Sequence, residues 1–458
     1  MFMRKTIFIT IFQAVEAKNI LRTPILKTLL ADPAVRLVLL TDSQDKVDYH
    51  KREFNSERFI YEVVPHIYPN GLDKFFTWLK FYLLRTDTTD LRRRMALDET
   101  GNYLLYYLGS IFNRTVAHPL IRKFVRAADF ILVKNNTYAH CFKKYQPDVV
   151  FMAHLFDDQE IHLLREAKRR GIKTIGFINS WDKVTARCIM RLLPEKVVVF
   201  NEIVKKEIMA HNEVPAQDIF IGGLPQYDIY ANYLPSRRED FYKELGIKPS
   251  VKKIIVYAPN GRYSAEADGL MIDLLQSFIQ QSLVPAGTEL LVRFQPNDAV
   301  DPALIKDRLD LIYDVPGTRF SNLRGTDWDM SEKDMRRLSD TLYYSAVFIC
   351  YTSSLSVDAA VFDKPIININ FELQKIKKLS QSPIQYYQMT HYKNAVNSGG
   401  IKVVNNKEEL LQWLNLYLDN PKLNADERQR LVDQQCGSID GRAGERVGNF
   451  ILNYLDSQ

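Results

Sequence analysis

The sequence alternates between short apolar runs and longer segments with helical spacing, and this alternation limits the fold more than any other feature. Apolar runs such as Val35–Leu40, Asp148–Ala153 and Lys196–Phe200 are separated by predicted helices such as Lys18–Leu30 and Gln159–Lys168. Continuous apolar strands that alternate with helices are typical of parallel sheets covered by helices on both faces. The pattern therefore predicts an α/β protein with doubly wound sheets.

Two such sheets are expected, because a chain of 458 residues exceeds what one hydrophobic core usually organises. The alternation stops near residues 233–250, where Pro235 and Pro249 flank a short polar segment, and resumes with an apolar run at Lys253–Tyr257. We therefore predict one Rossmann-like domain over residues 1–235 and another over residues 250–440. Residues 441–458 are predicted to form a terminal helix.

A stretch of about residues 72–145 interrupts the alternation and is predicted to be a helical insertion in the first domain. It is rich in aromatic and basic side chains, among them Phe75, Trp78, Phe81 and the run Arg92–Arg94. One interpretation is a set of packing helices with a solvated charged face. The alternative is a surface that contacts a membrane or a lipid-linked acceptor. No stretch reaches the roughly 20 apolar residues of a spanning helix.

Charge and cysteine content indicate the class of partner and the compartment. The net charge of +6 is a mild excess that favours phosphorylated substrates or an anionic membrane surface over nucleic acid, which needs a concentrated basic face. The four cysteines are far apart and form no CxxC pair, so free thiols in a cytoplasmic protein are expected. The first apolar run, Thr6–Phe12, lacks a small-residue cleavage site and is predicted to be a strand instead of a signal peptide.

The segment Tyr351–Glu372 is the most informative about chemistry. An apolar run at Ala346–Cys350 leads into three hydroxyl residues, which are Thr352, Ser353 and Ser354, and a predicted helix follows. The first turn of a helix has free N–H groups and the positive end of the helix dipole, so this arrangement favours phosphate binding at the carboxyl edge of a sheet. The alternative is that the two serines only cap the helix.

This order of features resembles the C-terminal domain of GT-B transferases, in particular the bacterial group of CDP-glycerol glycerophosphotransferase-like and surface-polysaccharide enzymes. The shared features are the serine pair, Asp358 within the helix, the Lys364-Pro365 step and Glu372 after the next strand. Three other stretches are similar to the same group: SWDKVTAR at 180–187, GGLPQYD at 222–228 and DGRAGERVGNFI at 440–451. The resemblance covers the chain from about residue 148 onward.

The resemblance implies a GT-B fold, in which two Rossmann-like domains face a cleft and bind the acceptor and the nucleotide donor respectively. The hydroxyl turn, Asp358 and Glu372 are then expected to contact the donor, and the terminal helix to cross back to the first domain. The nucleotide sugar is a substrate, so no cofactor is expected. No metal is expected either, because Asp327-Trp328-Asp329 has the spacing of a metal motif but lies in a predicted loop.

One difference from the group concerns the donor. Glycerophosphotransferases typically have an Arg-x-His-Pro step, but Arg293-Phe294-Gln295-Pro296 stands at the corresponding place. The absent histidine favours a glycosyl donor over glycerol phosphate. Arg293 is predicted to contact the diphosphate, with an ion pair as the alternative. The loop Asn260-Gly261-Arg262 has the same predicted role, with an ordinary turn as the alternative.

A base that deprotonates the acceptor hydroxyl is expected in the first domain, at the ends of strands. Carboxylates and histidine suit this role because burial brings their pKa values toward neutrality. The candidates are Glu16, His154, Asp157, Asp158 and Asp182. For the pair Asp157 and Asp158, the alternative is capping of the helix that follows.

We therefore predict a glycosyltransferase of cell-surface polysaccharide synthesis, such as lipopolysaccharide or capsule. It moves a sugar from a nucleotide-diphosphate or nucleotide-monophosphate donor to a saccharide or lipid-linked acceptor. Two alternatives are a sugar-nucleotide 2-epimerase, which shares the two-domain fold, and a catalytically silent scaffold that binds a nucleotide sugar. An epimerase requires more carboxylates near the donor helix than Asp358 alone. The predicted location is the cytoplasm, with possible peripheral contact at the inner face of the membrane, and the sequence carries no indication of the oligomeric state.

Overall fold

The computed structural model describes residues 5–306, 308–320, 325 and 328–457. In chain order, its strands are β1 (Lys5–Thr10), β2 (Val35–Thr41), β3 (Phe59–Val63), β4 (Val149–Met152), β5 (Lys173–Phe177), β6 (Lys196–Val199), β7 (Ile219–Ile221), β8 (Lys253–Ala258), β9 (Thr288–Arg293), β10 (Ile312–Asp314), β11 (Thr318–Arg319), β12 (Trp328–Asp329), β13 (Ser345–Cys350), β14 (Ile366–Ile369) and β15 (Lys402–Val404).

The helices in chain order are α1 (Ala14–Ile20), α2 (Pro24–Ala31), α3 (Gln44–Glu53), α4 (Gly71–Tyr82), α5 (Asp87–Thr100), α6 (Tyr103–Val116), α7 (Pro119–Leu132), α8 (Ala139–Tyr145), α9 (Asp158–Arg169), α10 (Lys183–Ala186), α11 (Glu202–Asn212), α12 (Asp228–Ala231), α13 (Arg238–Leu245), α14 (Ala265–Gln280), α15 (Glu332–Tyr344), α16 (Leu355–Val361), α17 (Thr390–Val396), α18 (Lys407–Asp419), α19 (Ala425–Gln435) and α20 (Ala443–Asp456). The chain divides into two compact units. The first comprises Met1–Arg93, Asn102–Ala231 and Gly437–Gln458, and the second comprises Arg94–Gly101 and Asn232–Cys436.

The first unit contains a parallel sheet of seven strands in the order β3-β2-β1-β4-β5-β6-β7. Strand β1 lies between β2 and β4, with Ile7 opposite Leu37 on one side and Val149 on the other. These three side chains are fully buried, as expected for strands covered on both faces. The chain moves outward from β1 to β3 and restarts at β4, so the direction of winding switches between β1 and β4.

The second unit contains a parallel sheet of six strands in the order β10-β9-β8-β13-β14-β15. Here the winding switches between β8 and β13, where Val256 pairs with Phe348. A separate antiparallel pair is formed by β11 and β12. The predicted fold class, two doubly wound parallel α/β sheets with a helical insertion, is confirmed: helices α4–α8 lie between β3 and β4.

Helix α20 belongs to the first unit and packs against α2. Its N-terminus is held by Asp228, whose carboxylate accepts the N–H groups of Ala443 at 2.9 Å and Gly444 at 2.7 Å. Glycine at 444 allows close approach, because a Cβ atom there would lie 2.7 Å from Pro24 Cδ. The GGLPQYD and DGRAGERVGNFI stretches thus meet in space.

The prediction of one helix over Lys18–Leu30 was wrong, since the structure contains α1 and α2 instead. Pro24 starts the second helix and cannot donate the N–H that a continuous helix needs. The Thr23 hydroxyl instead donates to the carbonyl of Asn19 at 2.9 Å. The short strands β10 and β15 and helix α19 were not predicted.

Candidate active site

The two loops singled out in the second half of the sequence flank the switch point of the second sheet. Strand β8 leads into Asn260-Gly261-Arg262, and the adjacent strand β13 leads into Thr352-Ser353-Ser354. In open parallel sheets, ligands bind outside the carboxyl ends of the strands at the switch point. The topology therefore brings both predicted donor loops to the position where this fold binds ligands.

The hydroxyl turn is held in place by Tyr392 from α17. The Tyr392 hydroxyl accepts the N–H of Ser353 at 3.1 Å and lies within hydrogen-bond distance of Ser356 and the Asn368 amide. Ser353 Oγ accepts the N–H of Leu355 at 3.2 Å, so Ser353 caps α16, as the alternative interpretation proposed. Ser354 makes no such cap and its side chain is exposed, while Thr352 is half-buried. These two hydroxyl groups are the ones that a ligand can reach.

The β8 loop is fixed from inside by the buried carboxylate of Asp268. Asp268 accepts the N–H groups of Asn260 at 3.0 Å and Gly261 at 3.2 Å, so these two donors do not face a ligand. Gly261 has a φ of 102°, a conformation that glycine adopts without strain. Arg262 is paired with Asp298, whose Oδ1 lies 3.4 Å from the guanidinium Nε, but 41% of the arginine side chain is exposed. Arg262 therefore brings an accessible cation to this edge.

Arg293 has the surroundings of the alternative interpretation, an ion pair. Its side chain is 3% exposed and forms an ion pair with the buried carboxylate of Asp314 in β10. Arg337 also contacts Asp314, at 3.0 Å. The guanidinium of Arg293 is engaged in this buried network, so the ion pair that the sequence offered as the alternative is present, and the contact with the donor diphosphate stays a prediction. The neighbouring Gln295 amide donates to the carbonyl of Pro259 at 3.1 Å, which places the residue at the histidine position beside the β8 loop.

Asp358 and Glu372 have different surroundings. Asp358 is buried in α16, which packs against α19, and it lies close to Cys436 at the end of α19. Burial, together with the nearby Asp358 carboxylate, raises the pKa of the Cys436 thiol. Asp358 thus lies at the α16–α19 contact, and its role in donor binding stays a prediction. Glu372 is half-buried after β14, accepts a hydrogen bond from Ser382 and lies near the buried Tyr351, so it remains at the edge.

The switch point of the first sheet carries a buried cluster centred on Glu16, which follows β1. One carboxylate oxygen of Glu16 accepts the N–H groups of Phe12 at 2.5 Å and Gln13 at 3.0 Å. The other oxygen is buried and has no hydrogen-bond partner among the described residues. Burial raises the pKa of Glu16 to about 8, with the carboxylate of Asp157 contributing in the same direction. Glu16 is therefore a carboxyl group that exchanges its proton near neutral pH.

Two residues that the sequence did not single out complete this cluster. Glu160 in α9 accepts hydrogen bonds from the Thr10 hydroxyl at 2.6 Å and the His154 N–H at 2.9 Å, and burial together with Glu16 raises its pKa. Lys183 Nζ lies 2.9 Å from His154 Nε2. Burial and this lysine lower the pKa of His154, so its ring is neutral. Two carboxyl groups, an imidazole and an amine thus share a buried site that can hold and move a proton.

The three aspartates predicted as bases are placed differently. Asp157 caps α9 by accepting the N–H of Gln159 at 2.8 Å, as the alternative interpretation proposed, and its second oxygen accepts from the Gln13 amide. Asp158 points to the helical insertion, where it pairs with Lys80 at 2.9 Å, so a role as the base does not fit its geometry. Asp182 precedes α10 and accepts from the Ser180 hydroxyl at 2.5 Å.

The structure describes one cluster with metal-ligand side chains, formed by Glu62, His140 and Cys141 within the covered ranges. It lies away from the switch points, in β3 and α8. Glu62 already accepts hydrogen bonds from Lys144 at 3.0 Å and Tyr145 at 2.6 Å, and a nearby ammonium opposes a cation. Asp327 of the candidate metal motif lies outside the described residues. The expectation of a metal-independent enzyme therefore stays a prediction.

Two doubly wound parallel sheets of this kind give the chain the GT-B fold. Residues 179–453 match the family model described as CDP-Glycerol:Poly(glycerophosphate) glycerophosphotransferase. Because this match covers more than half of the chain, the protein belongs to that family, and the predicted resemblance is confirmed. Its predicted activity, a glycosyltransferase of cell-surface polymer synthesis, is confirmed at the level of the class.

Solved structures with the same fold include three informative examples. A variant of the wall teichoic acid polymerase TagF has a TM-score of 0.52 at 11% identity, over 99% of this chain and 89% of that chain. MnaA of S. aureus with UDP has a TM-score of 0.53 at 12% identity, over 99% and 97%. A glycosyltransferase from Rickettsia africae has a TM-score of 0.50 at 13% identity, over 99% and 100%. Identities this low establish the fold alone. No curated protein matches the sequence.

Proposed function

We propose that this enzyme moves a sugar from a nucleotide-diphosphate or nucleotide-monophosphate donor to a saccharide or lipid-linked acceptor. The product would be a cell-surface polysaccharide such as lipopolysaccharide or capsule. The observation that carries the donor assignment is the pair of accessible hydroxyl groups, Thr352 and Ser354, after β13, with the exposed Arg262 after the adjacent strand β8 at the switch point of the second sheet. Hydroxyl donors and a cation at such an edge match the charge and geometry of a diphosphate.

The acceptor hydroxyl is proposed to lose its proton to the cluster around Glu16. A carboxyl group with a pKa of about 8 is partly ionised near neutral pH and a stronger base than an ordinary glutamate. Its unpartnered oxygen has no competing donor among the described residues. Glu160 and Lys183 then tune the proton affinity of Glu16 by their charge states. The four cysteines are buried free thiols, which supports the proposed cytoplasmic location.

The donor assignment is tested by calorimetric titration of nucleoside mono- and diphosphates. We expect binding of at least one nucleotide, weakened about three- to tenfold per hydroxyl in Thr352→Ala and Ser354→Ala, as for the loss of one hydrogen bond. Ser250→Ala removes an exposed hydroxyl that precedes β8, at the opposite edge of the same sheet, and serves as the control. Unchanged affinity in both site variants, or absence of nucleotide binding, refutes the donor site.

A solved UDP-N-acetylglucosamine 2-epimerase has the same fold, with a TM-score of 0.53 at 11% identity, so epimerase activity is a second candidate that needs its own test. Nucleotide sugars incubated with the enzyme in the absence of acceptor are analysed by NMR. A transferase leaves the sugar configuration unchanged, whereas an epimerase inverts one centre. The donors are also incubated with a panel of saccharide acceptors. If the protein binds nucleotide but converts none of the donors, it is the catalytically silent scaffold.

Gln295 supports a glycosyl donor over a glycerol-phosphate donor. Its amide is bound to the Pro259 carbonyl and cannot accept a proton or carry a charge at neutral pH. Competition between CDP-glycerol and nucleotide sugars for the same site measures this preference. Tighter binding and turnover of CDP-glycerol would contradict the proposed donor class while leaving the site itself intact.

A further inference from the structure

We propose that Glu62, His140 and Cys141 of the first unit form a binding site for one Zn²⁺ ion. Glu62 lies in β3, and the other two residues lie in α8, the helix that precedes β4. A carboxylate oxygen, an imidazole nitrogen and a thiol sulfur lie within 4.8 Å of one another. This group, called here the β3–α8 site, contains none of the residues of the active site proposed above.

The hydrogen bonding of His140 makes its Nε2 atom available as a ligand. Nδ1 lies 3.0 Å from the carbonyl oxygen of Thr137, and a carbonyl can only accept, so Nδ1 carries the ring proton. In the neutral ring Nε2 therefore has a free lone pair. Nε2 lies 3.2 Å from Cys141 Sγ and 3.8 Å from Glu62 Oε1. Histidines that ligate a metal commonly donate their second N–H to a backbone carbonyl in this way.

The two oxygens of Glu62 have separate partners. Oε2 accepts hydrogen bonds from the Lys144 ammonium at 3.0 Å and from the Tyr145 hydroxyl at 2.6 Å. Oε1 is the oxygen nearest His140, and it accepts no hydrogen bond from the residues that the structure describes. Hydrogen bonds to one oxygen of a carboxylate orient the other toward a metal. The carboxylate of Glu62 is thus held with Oε1 beside the imidazole.

The separations between the ligand atoms fit zinc. Zn²⁺ binds thiolate, imidazole and carboxylate at about 2.0–2.3 Å in a tetrahedron, so its ligand atoms lie roughly 3.3–3.8 Å apart. The two distances measured from Nε2 are close to this range. A sulfur and a nitrogen ligand select zinc over Mg²⁺ and Ca²⁺, which prefer oxygen. Cys141 is buried, but 55% of the His140 side chain is exposed, so the ion can enter from that side and keep water as its fourth ligand.

The ammonium of Lys144 weakens the site without occupying it. Its side chain is 56% exposed and contacts Oε2, so the ammonium does not lie among the three ligand atoms and water screens its charge. Binding of zinc displaces the proton of the Cys141 thiol, which passes to the solvent. The thiolate and the Glu62 carboxylate then balance the two charges of the ion.

The ion would join the outermost strand of the first sheet to α8. Strand β3 is at the end of the strand order, pairs with β2, and has half-buried or exposed residues throughout. A ligand that binds only the folded chain stabilises it by mass action. The role of this metal is therefore structural: it holds the edge strand against the helix.

The test is calorimetric titration of the metal-free full chain with Zn²⁺, with Co²⁺ as a spectroscopic probe. We expect one ion per chain and, with Co²⁺, a thiolate charge-transfer band together with the visible bands of tetrahedral coordination. His140→Gln, at an exposed position, should weaken binding at least tenfold, and Cys141→Ser should also abolish the charge-transfer band. Cys188→Ser is the matched control, because Cys188 is another buried free thiol of the same unit, and it should bind like the wild type.

Two further readouts depend on the proposed geometry. Lys144→Gln should bind Zn²⁺ about two- to fivefold more tightly than the wild type, because it removes an exposed cation beside the site. Zn²⁺ at about a hundred times its Kd should raise the melting temperature of the wild type by roughly 5–10 °C and leave that of His140→Gln unchanged. Four results overturn the proposal: no saturable binding of Zn²⁺, a Co²⁺ spectrum without the thiolate band, equal loss of affinity in Cys188→Ser, or unchanged affinity in Lys144→Gln.

Discussion

Replacing Glu16 with glutamine should change how the stability of the first unit depends on pH. In the folded protein the Glu16 carboxyl keeps its proton up to about pH 8, whereas its ordinary pKa is 4.5. Between these values the folded chain binds more protons than the unfolded chain, so the free energy of unfolding falls as the pH rises. The contribution of Glu16 to the free energy of unfolding is fully present below pH 4.5 and is lost as the pH rises through 8. Glu16→Gln removes this titration.

The size of the effect follows from the two pKa values. Their difference corresponds to about 5 kcal/mol at 1.36 kcal/mol per unit. Shared titration with Glu160 and entry of water on ionisation reduce this, so we expect roughly 2–3 kcal/mol. Relative to the variant, the wild type should therefore lose about this much stability between pH 5 and pH 9.

The assay is urea unfolding followed by circular dichroism at several pH values, for the wild type, Glu16→Gln and Glu57→Gln. Glu57 is exposed in the same unit, so its substitution is a matched control for the chemical change. The second unit is identical in all three proteins, and its transition cancels in the comparison. A difference between wild type and Glu16→Gln that stays constant with pH, or that grows in favour of the wild type at high pH, refutes the assignment of a raised pKa to Glu16.

Three further substitutions have defined outcomes. Tyr392→Phe leaves the Ser353 N–H without its partner and should lower the free energy of unfolding by about 1–3 kcal/mol while weakening nucleotide binding. Thermal unfolding measures the first effect and calorimetry the second. Unchanged nucleotide affinity would contradict the role of Tyr392 in holding the hydroxyl turn in place. Arg293→Met leaves Asp314 buried with Arg337 as its remaining partner, so it should lower the free energy of unfolding by about 3 kcal/mol while nucleotide affinity is retained. A selective loss of nucleotide affinity would instead support the predicted contact between Arg293 and the donor. Gly444→Ala should destabilise the protein by about 1–3 kcal/mol, because the new Cβ atom would meet Pro24. Gly109→Ala in α6 is the control: its Cβ atom would lie 3.5 Å from the Tyr82 ring, so the change should be neutral or slightly stabilising. Equal shifts of the melting temperature in the two variants would exclude close packing at Gly444.

The strands of both sheets could be predicted because a buried parallel strand is a continuous apolar run. Strand β13, for example, is almost fully apolar and almost fully buried. Edge strands lack this signal. Strand β10 reads Ile-Tyr-Asp and its tyrosine is exposed, so nothing in its composition separates it from a loop. The break at Pro24 was visible in the sequence, but the helical spacing on either side outweighed it in the prediction.

The candidate active-site loops could be predicted for the same reason, since they directly follow recognisable strands. Their supporting residues could not. Tyr392 lies 39 positions after Ser353, and Lys183 lies 29 positions after His154, so only tertiary structure reveals these pairs. Glu160 looked like an ordinary polar residue of an amphipathic helix. Its importance comes from full burial beside Glu16, which a sequence pattern does not encode.

Arg293 shows the limit of inference from residue type. A basic residue at the end of a strand near a phosphate site can bind the phosphate or form a buried ion pair. Which of the two it does depends on whether a buried acid is within reach. Asp314 is that acid, and it lies in β10, the strand that composition did not reveal. The strand that was not predicted therefore carries the residue that decides between the two interpretations of Arg293.

The helical insertion reverses the usual rule that links sequence pattern to burial. An amphipathic pattern indicates that one face of a helix is apolar, and the default assignment turns that face to the core. In α7 the core instead receives Arg126 and Asp129, because Glu213 and Arg165 lie there to pair with them. Both partners lie outside the insertion, in α9 and just after α11, so the orientation of α7 is set by residues distant in sequence. A surface that the sequence could only offer as one of two interpretations thus acquires a definite direction from two buried ion pairs.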